Sequence, residues 1–180
     1  REPIHSPRPD LAKKYPSFKD KAKQYRVDTK FESLQQSKDF SKEFPINLTT
    51  GRLVNFSGAG METRASKYLS RITPEMFADI HPELAAKHGI KNWDFVWVHS
   101  PEGTKIKVRA RIVPSVKPNM IFLPFHWAGY MQGVDMTGNF PEGTRPFAVG
   151  ESANTVTNYG YDIVTQIPET KGGLCRIERA

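Results

Sequence analysis

Several things are scarce in this sequence, and each scarcity excludes a class of protein. Cysteine occurs once in 180 residues, as Cys175. A lone thiol excludes an internal disulfide framework and any cysteine-only metal cluster built from this chain. No apolar run approaches the roughly 20 residues of a membrane-spanning helix. There is no Gly-x-Ser-x-Gly nucleophile elbow and no Walker phosphate loop. Acidic residues are outnumbered, 19 against 26 Lys and Arg, leaving a formal net charge of +7. That balance suits an anionic partner: nucleic acid, a membrane surface or a phosphorylated cofactor. Charge alone does not choose among them.

What is present is ordinary globular material, 38% hydrophobic and 25% charged, long enough for one domain with an extension. The first residues, Arg1-Glu2-Pro3-Ile4, do not form a signal peptide, and the absence of a starting methionine reads as a cut from a longer chain. Residues 1–43 carry Pro3, Pro7, Pro9 and Pro16 and then a lysine-rich run with poor apolar periodicity. They are expected to form an extended basic arm from a preceding domain, with residues 44–180 as a single folded domain.

From Phe44 the pattern tightens. Phe44–Leu48 suggests a strand ending at Thr49-Thr50-Gly51-Arg52, followed by a glycine-rich loop, Gly58-Ala59-Gly60. Thr63–Arg71 and Pro82–His88 suggest helices, the second opened by a first-turn proline and stopped by Gly89. Met76–Ile80, Met120–Phe125 and Leu174–Ile177 suggest strands. The plainest signal is a hairpin: residues 94–99 and 105–113 alternate apolar with polar about the turn Ser100–Gly103. Residues 127–150, rich in glycine and proline, are expected to be a long loop. Short strands with small helices, without regular strand–helix alternation, point to a mainly β barrel.

Candidate chemistry is thin. His81 and His88, seven residues apart, would share a helix face, yet no further ligand spacing accompanies them. Cys175 falls in an apolar strand pattern, which favours a buried structural thiol over a nucleophile. The segment Thr49–Arg52 followed by Gly58–Ser66 is either a structural turn or an anion cradle: glycines let backbone N–H groups approach phosphate oxygens, and hydroxyls and arginines add donors. A basic nucleic-acid-binding barrel would explain the charge and Trp93, Trp97 and Trp127, but no stacking platform of interleaved aromatic and basic residues is visible in the sequence.

The order of these pieces resembles the molybdopterin-dinucleotide-binding domain of the large molybdenum oxidoreductase family. The resemblance rests on a strand into Thr50-Gly51-Arg52, a loop ending in Thr63-Arg64, Ile80-His81-Pro82-Glu83-Leu84, the hairpin, Phe122-Leu123-Pro124-Phe125-His126, Ala153-Asn154-Thr155 and Ile167-Pro168-Glu169-Thr170-Lys171. It covers Phe44 to Glu178 and is nearest to periplasmic-type formate dehydrogenase catalytic subunits, in the segment Glu151–Asp162 and in Leu174-Cys175-Arg176-Ile177-Glu178. Phe56-Ser57-Gly58-Ala59 stands where nitrate reductases place His-Trp-His-Thr, which argues against nitrate reduction. Other members of the family, such as polysulfide or arsenate enzymes, and a free-standing interaction domain on the same barrel are the remaining alternatives.

The resemblance implies a double-psi β-barrel that binds two molybdopterin guanine dinucleotides around molybdenum or tungsten. It implies cofactor contacts at Thr50, Gly51, Arg52, Gly58, Gly60, Thr63, Asn154 and Lys171, the structural alternative for Asn154 being a turn cap. It places the metal-ligating residue, the catalytic residues and an iron–sulfur cluster earlier in the parent chain. Arg52 and His126 are accordingly not taken as catalytic, and no metal ligand is assigned here. The implied partners are the preceding domains, an iron–sulfur subunit and a membrane cytochrome subunit, with no nucleic acid, in the periplasm. The implied reaction is two-electron oxidation of formate to carbon dioxide, for which these residues alone would not suffice.

Overall fold

A computed structural model of the chain describes residues 4–5, 24–25, 38–157, 167–168 and 170–180. The chain divides into two units, residues 1–31 with 161–167, and residues 32–160 with 168–180. In the first, Ile4–His5 pairs antiparallel with Gln24–Tyr25; the expected arm over 1–43 otherwise lies largely outside the described residues. So do Asn158–Asp162 and Glu169 of the motifs above.

The second unit is built on a closed six-stranded barrel, the mainly β architecture with few short helices that the resemblance implied. Its strands are β1 (Ile46–Gly51), β2 (Phe77–Ile80), β3 (Phe95–His99), β4 (Lys105–Ile112), β5 (Met120–Pro124) and β6 (Gly173–Arg179). Around the barrel the order is β6-β1-β5-β2-β4-β3. The β1–β5 and β2–β4 pairs are parallel and the other four antiparallel. Closure removes the edge strands on which a sheet this small would otherwise aggregate.

Alternation supplies the core. Val96, Val98, Ile106, Val108 and Ala110 of β3 and β4 point inward and are fully or almost fully buried, where they meet Leu48, Phe77, Ile80, Ile121 and Leu123. Cys175 is buried among them, and burial pushes its thiol pKa far above the ordinary value, so it is an inert packing group. Gly51 is needed for closeness: a Cβ there would lie 2.5 Å from the Phe122 ring across the β1–β5 pair.

Three local expectations need correction. Thr63–Arg71 is not one helix. A 3-10 turn covers Thr63–Ala65, and Ser66 then breaks and restarts the chain by accepting the Leu69 N–H at 3.4 Å, capping α1 (Lys67–Ile72). His81 and His88 do not share a helix face. They flank α2 (Pro82–Lys87) as its two caps, and His81 Nδ1 accepts the Glu83 N–H at 3.2 Å. Residues 127–150 are not a bare loop. Gly129–Met131 pairs antiparallel with Val134–Asp135 and parallel with Gly150–Glu151, forming a small sheet.

That small sheet is organised by one buried carboxylate. Glu151, 2% exposed, accepts backbone N–H bonds from Lys107, Gln132 and Gly133, which ties the left-handed Gln132–Gly133 turn to β4. Three N–H donors replace the water that a buried carboxylate loses.

Candidate cofactor-binding site

By register, the ends of β1, β3 and β5 and the starts of β2, β4 and β6 gather at one end of the barrel. The glycine loop leaves from this end after Gly51, and the small sheet leaves after Pro124.

Four of the eight residues expected to contact cofactor form a connected group. The Thr50 hydroxyl donates to the Thr170 carbonyl at 2.9 Å, and Lys171 Nζ donates to the Thr50 carbonyl at 3.1 Å. Thr50 is buried, so it braces the turn from below with its hydroxyl proton already used. Gly51 follows, and Arg52 then emerges exposed, its guanidinium 5.6 Å from the centre of the Phe125 ring. Lys171 remains exposed, with ammonium protons to spare.

The glycine loop holds three more. Gly58 and Gly60 have φ of +52° and +83°, a region that side chains disfavour. The Thr63 hydroxyl oxygen accepts the Ser57 N–H at 3.2 Å, leaving its own O–H to donate outward. Arg64 bonds back to the Gly60 carbonyl through both its backbone N–H and its Nε, and burial lowers its pKa. Asn154, the eighth, sits in the 3-10 turn Ala153–Val156 with an exposed side chain. Its carbonyl accepts the Thr157 hydroxyl, and its amide side chain makes no hydrogen bond among the described residues. Among the described residues its donor and its acceptor both remain available to a ligand.

Sequence reasoning named His126 within a motif and set it aside as non-catalytic, without a role for the group beneath this loop. His126, fully buried, accepts the Leu53 N–H at 2.7 Å through Nε2, and its ring packs on Phe56 and Phe125 at 5.2 Å each. Trp127 lies edge-on to Phe56 at 5.3 Å. Burial, with Arg52 and Arg64 adding repulsion, lowers the His126 pKa, so the ring is neutral near pH 7; the Gly58 carbonyl opposes this in part. A histidine directly after a strand's Pro-Phe end is the only signal the sequence carried.

The outer face of the β3–β4 hairpin corrects a second reading, because aromatic and basic residues do interleave there. Lys105 lies 4.1 Å from the centre of the Trp97 ring and Arg109 3.6 Å from Phe95, while on the neighbouring β2–β4 pair Arg111 lies 3.8 Å from the buried Phe77. Each ring carries a cation over its face, and Glu75 and Asp79 in turn hold Arg109 and Arg111. Rings so covered are not open platforms for bases.

The donor set fits a phosphorylated, heterocyclic ligand. Arg52, Arg64 and Lys171 have no carboxylate partner among the described residues. Gly58 and Gly60 carry no side chain at their left-handed positions, and Asn154 offers an amide edge suited to a base. Fold and site thus define a barrel domain whose open end gathers donors suited to an anionic ligand.

Comparison with known proteins agrees. The family model described as molydopterin dinucleotide binding domain matches residues 46–174. The chain belongs to that family, and it is a molybdopterin dinucleotide-binding domain. It is 34% identical over 137 residues to the F420-dependent formate dehydrogenase 1 subunit alpha of Methanococcus maripaludis, covering 76% of this chain and 17% of that protein. It is 32% identical over 153 residues to formate dehydrogenase 2 subunit alpha (cytochrome c-553) of Nitratidesulfovibrio vulgaris, covering 81% and 14%. It is 34% identical over 96 residues to the assimilatory nitrate reductase catalytic subunit of Bacillus subtilis, covering 53% and 13%. The chain therefore spans under a fifth of the length of these relatives. Among solved structures, acetylene hydratase from Pelobacter acetylenicus superposes with a TM-score of 0.62 at 17% identity, over 86% of this chain and 21% of that one, which shows a shared fold.

Proposed function

We propose that this domain holds a bis(molybdopterin guanine dinucleotide) cofactor, with molybdenum or tungsten, in the catalytic subunit of a formate dehydrogenase. When bound, the cofactor supplies the two-electron redox chemistry by which formate becomes carbon dioxide and a proton. This chain's own residues would do the holding. Arg52, Arg64 and Lys171 neutralise phosphate charge, Thr63 donates a hydrogen bond, and Asn154 reads a heterocycle edge. Thr50 and Gly51 shape the turn that carries Arg52.

The observation that carries the substrate class is the extent of the likeness: formate dehydrogenase alpha subunits align over 76% and 81% of the chain, the nitrate reductase over 53%. The Phe56–Ala59 stretch supports the same side, because Phe56 is buried against His126 and Trp127 as a packing residue. A nitrate-reducing parent is the second reading, favoured by the 34% identity to the Bacillus enzyme. Electrons would leave through an iron–sulfur cluster in the preceding domains to an iron–sulfur subunit and then a membrane cytochrome subunit, in the periplasm. These partners and this location rest on the resemblance alone.

The test is the purified full-length protein with its cofactor. Dye reduction with formate, without activity on nitrate, is expected; nitrate reduction without formate oxidation would overturn the assignment. Metal analysis of the same sample decides between molybdenum and tungsten.

A further inference from the structure

The geometry points to His126 as a positioning residue: its neutral imidazole latches the Leu53 N–H and so fixes the Thr50–Arg52 turn and the glycine loop on which dinucleotide retention depends. The inference rests on the cofactor reading above and adds to it a fully buried residue that acts through the loop.

The case begins with the strand pair. β1 and β5 run parallel, with Thr50 opposite Leu123 and Gly51 opposite Pro124. The Gly51 carbonyl then accepts the Phe125 N–H at 3.2 Å. In a continuing parallel ladder the next bond would run from the Leu53 N–H to the Phe125 carbonyl. Instead, the His126 side chain takes that N–H through Nε2 at 2.7 Å. The imidazole thus stands in for a backbone carbonyl where the two strands part, and it lets Arg52 turn outward without orphaning a donor.

The surroundings make the latch a single unit. Phe56 and Phe125 pack against the ring, and Gly60 closes over its backbone: a Cβ on Gly60 would lie 2.8 Å from the His126 carbonyl oxygen and 3.1 Å from its Cβ. Residue 60 must therefore be a glycine beside this backbone, and the loop is held close over the histidine. Nδ1 is buried without a full hydrogen bond, with the Gly58 carbonyl acting on the ring, so the Nε2 bond is the well-formed tie to the loop. Only a neutral ring can accept there, because both nitrogens of an imidazolium are donors. The charged groups that face it are Arg52 and Arg64, both cations, and they oppose protonation.

The sign of the pH dependence follows. His126 titrates below the ordinary histidine value of 6.5. Its contribution is complete above that value and is lost as pH falls from there through the lowered folded-state value.

The experiment is hydrogen exchange at the Leu53 amide, corrected for intrinsic rate, with pterin content measured on the same full-length protein. His126→Gln retains an uncharged acceptor; His126→Phe retains ring packing and removes it. In His126→Phe, Leu53 protection is expected to fall about tenfold, roughly the worth of one hydrogen bond, and pterin content to fall with it. In the wild type, protection falls on acidification below the histidine range; in His126→Gln it does not, and pterin is retained. Identical pH profiles in wild type and His126→Gln would overturn the latch, and that comparison decides even if His126→Phe fails to fold. Lost Leu53 protection with unchanged pterin content would overturn its role in retention. A wild-type protein without pterin would overturn the cofactor reading and this role with it, while the exchange data would still show whether the latch exists.

Discussion

The β3–β4 hairpin and the glycine loop after β1 belong to one barrel and are held by different physics. In the hairpin, alternate residues bury aliphatic side chains on one face: Val96, Val98 and Ile106 are completely inaccessible. Its stability comes from apolar area removed from water, a term that needs no ligand. In residues 53–64 only Phe56 and Gly60 are buried, and the segment is held by a few hydrogen bonds among Leu53, Ser57, Gly60, Thr63, Arg64 and His126. Such a segment buries too little to offset backbone ordering, roughly 1–2 kcal/mol per residue. The wall of the barrel is thus built to stand alone, and its rim is built to be completed by something anionic.

Substitutions should separate the two regions sharply. The largest effect belongs to the wall. Val98→Asp places an unpaired charge in the core and should cost more than about 4 kcal/mol. Loss of the cooperative thermal transition is the expected readout, with cofactor content lost only because the fold is lost.

Glu151→Gln comes next. It replaces a carboxylate that accepts three backbone N–H bonds with an amide that must point a donor at one of them. The cost should be about 1.5–3 kcal/mol, the range for hydrogen bonds to charged groups. The opening should be confined to residues 129–135, so exchange at those amides should rise while Val96–His99 keep their protection. Equal loss in both segments would mean the small sheet is part of the wall.

The rim substitutions should move stability least and binding most. Lys171→Ala and Asn154→Ala remove exposed side chains, of which, among the described residues, Lys171 makes one protein bond and Asn154 none. Each should weaken cofactor retention by about 1.5–3 kcal/mol, as expected for a lost charge-assisted or base-reading bond, with melting temperature almost unchanged. Unchanged metal and pterin content in both variants would remove these residues from the site.

The same contrast explains what could be read from the sequence. The hairpin was legible because period-two alternation is written into residues 94–113, and the core strands Phe77–Ile80 and Met120–Pro124 were legible as apolar runs. The sheet over 129–151 was not, because it is assembled by one buried carboxylate reading three distant N–H groups, which leaves no periodic trace. The break in Thr63–Arg71 turned on Ser66 acting as a cap. The rim was legible only as an ordered set of short motifs. Composition could not show that Thr50 spends its hydroxyl inward, or that His126 replaces a backbone carbonyl.

Hydrogen exchange of the full-length protein with and without bound cofactor tests the central claim most directly, that this end of the barrel is completed by a dinucleotide. The account expects residues 50–64 and 152–157 to gain protection when cofactor is present, while residues 95–112 stay equally protected in both states. Loop protection that matches the hairpin without cofactor, or that does not change when it binds, would contradict it.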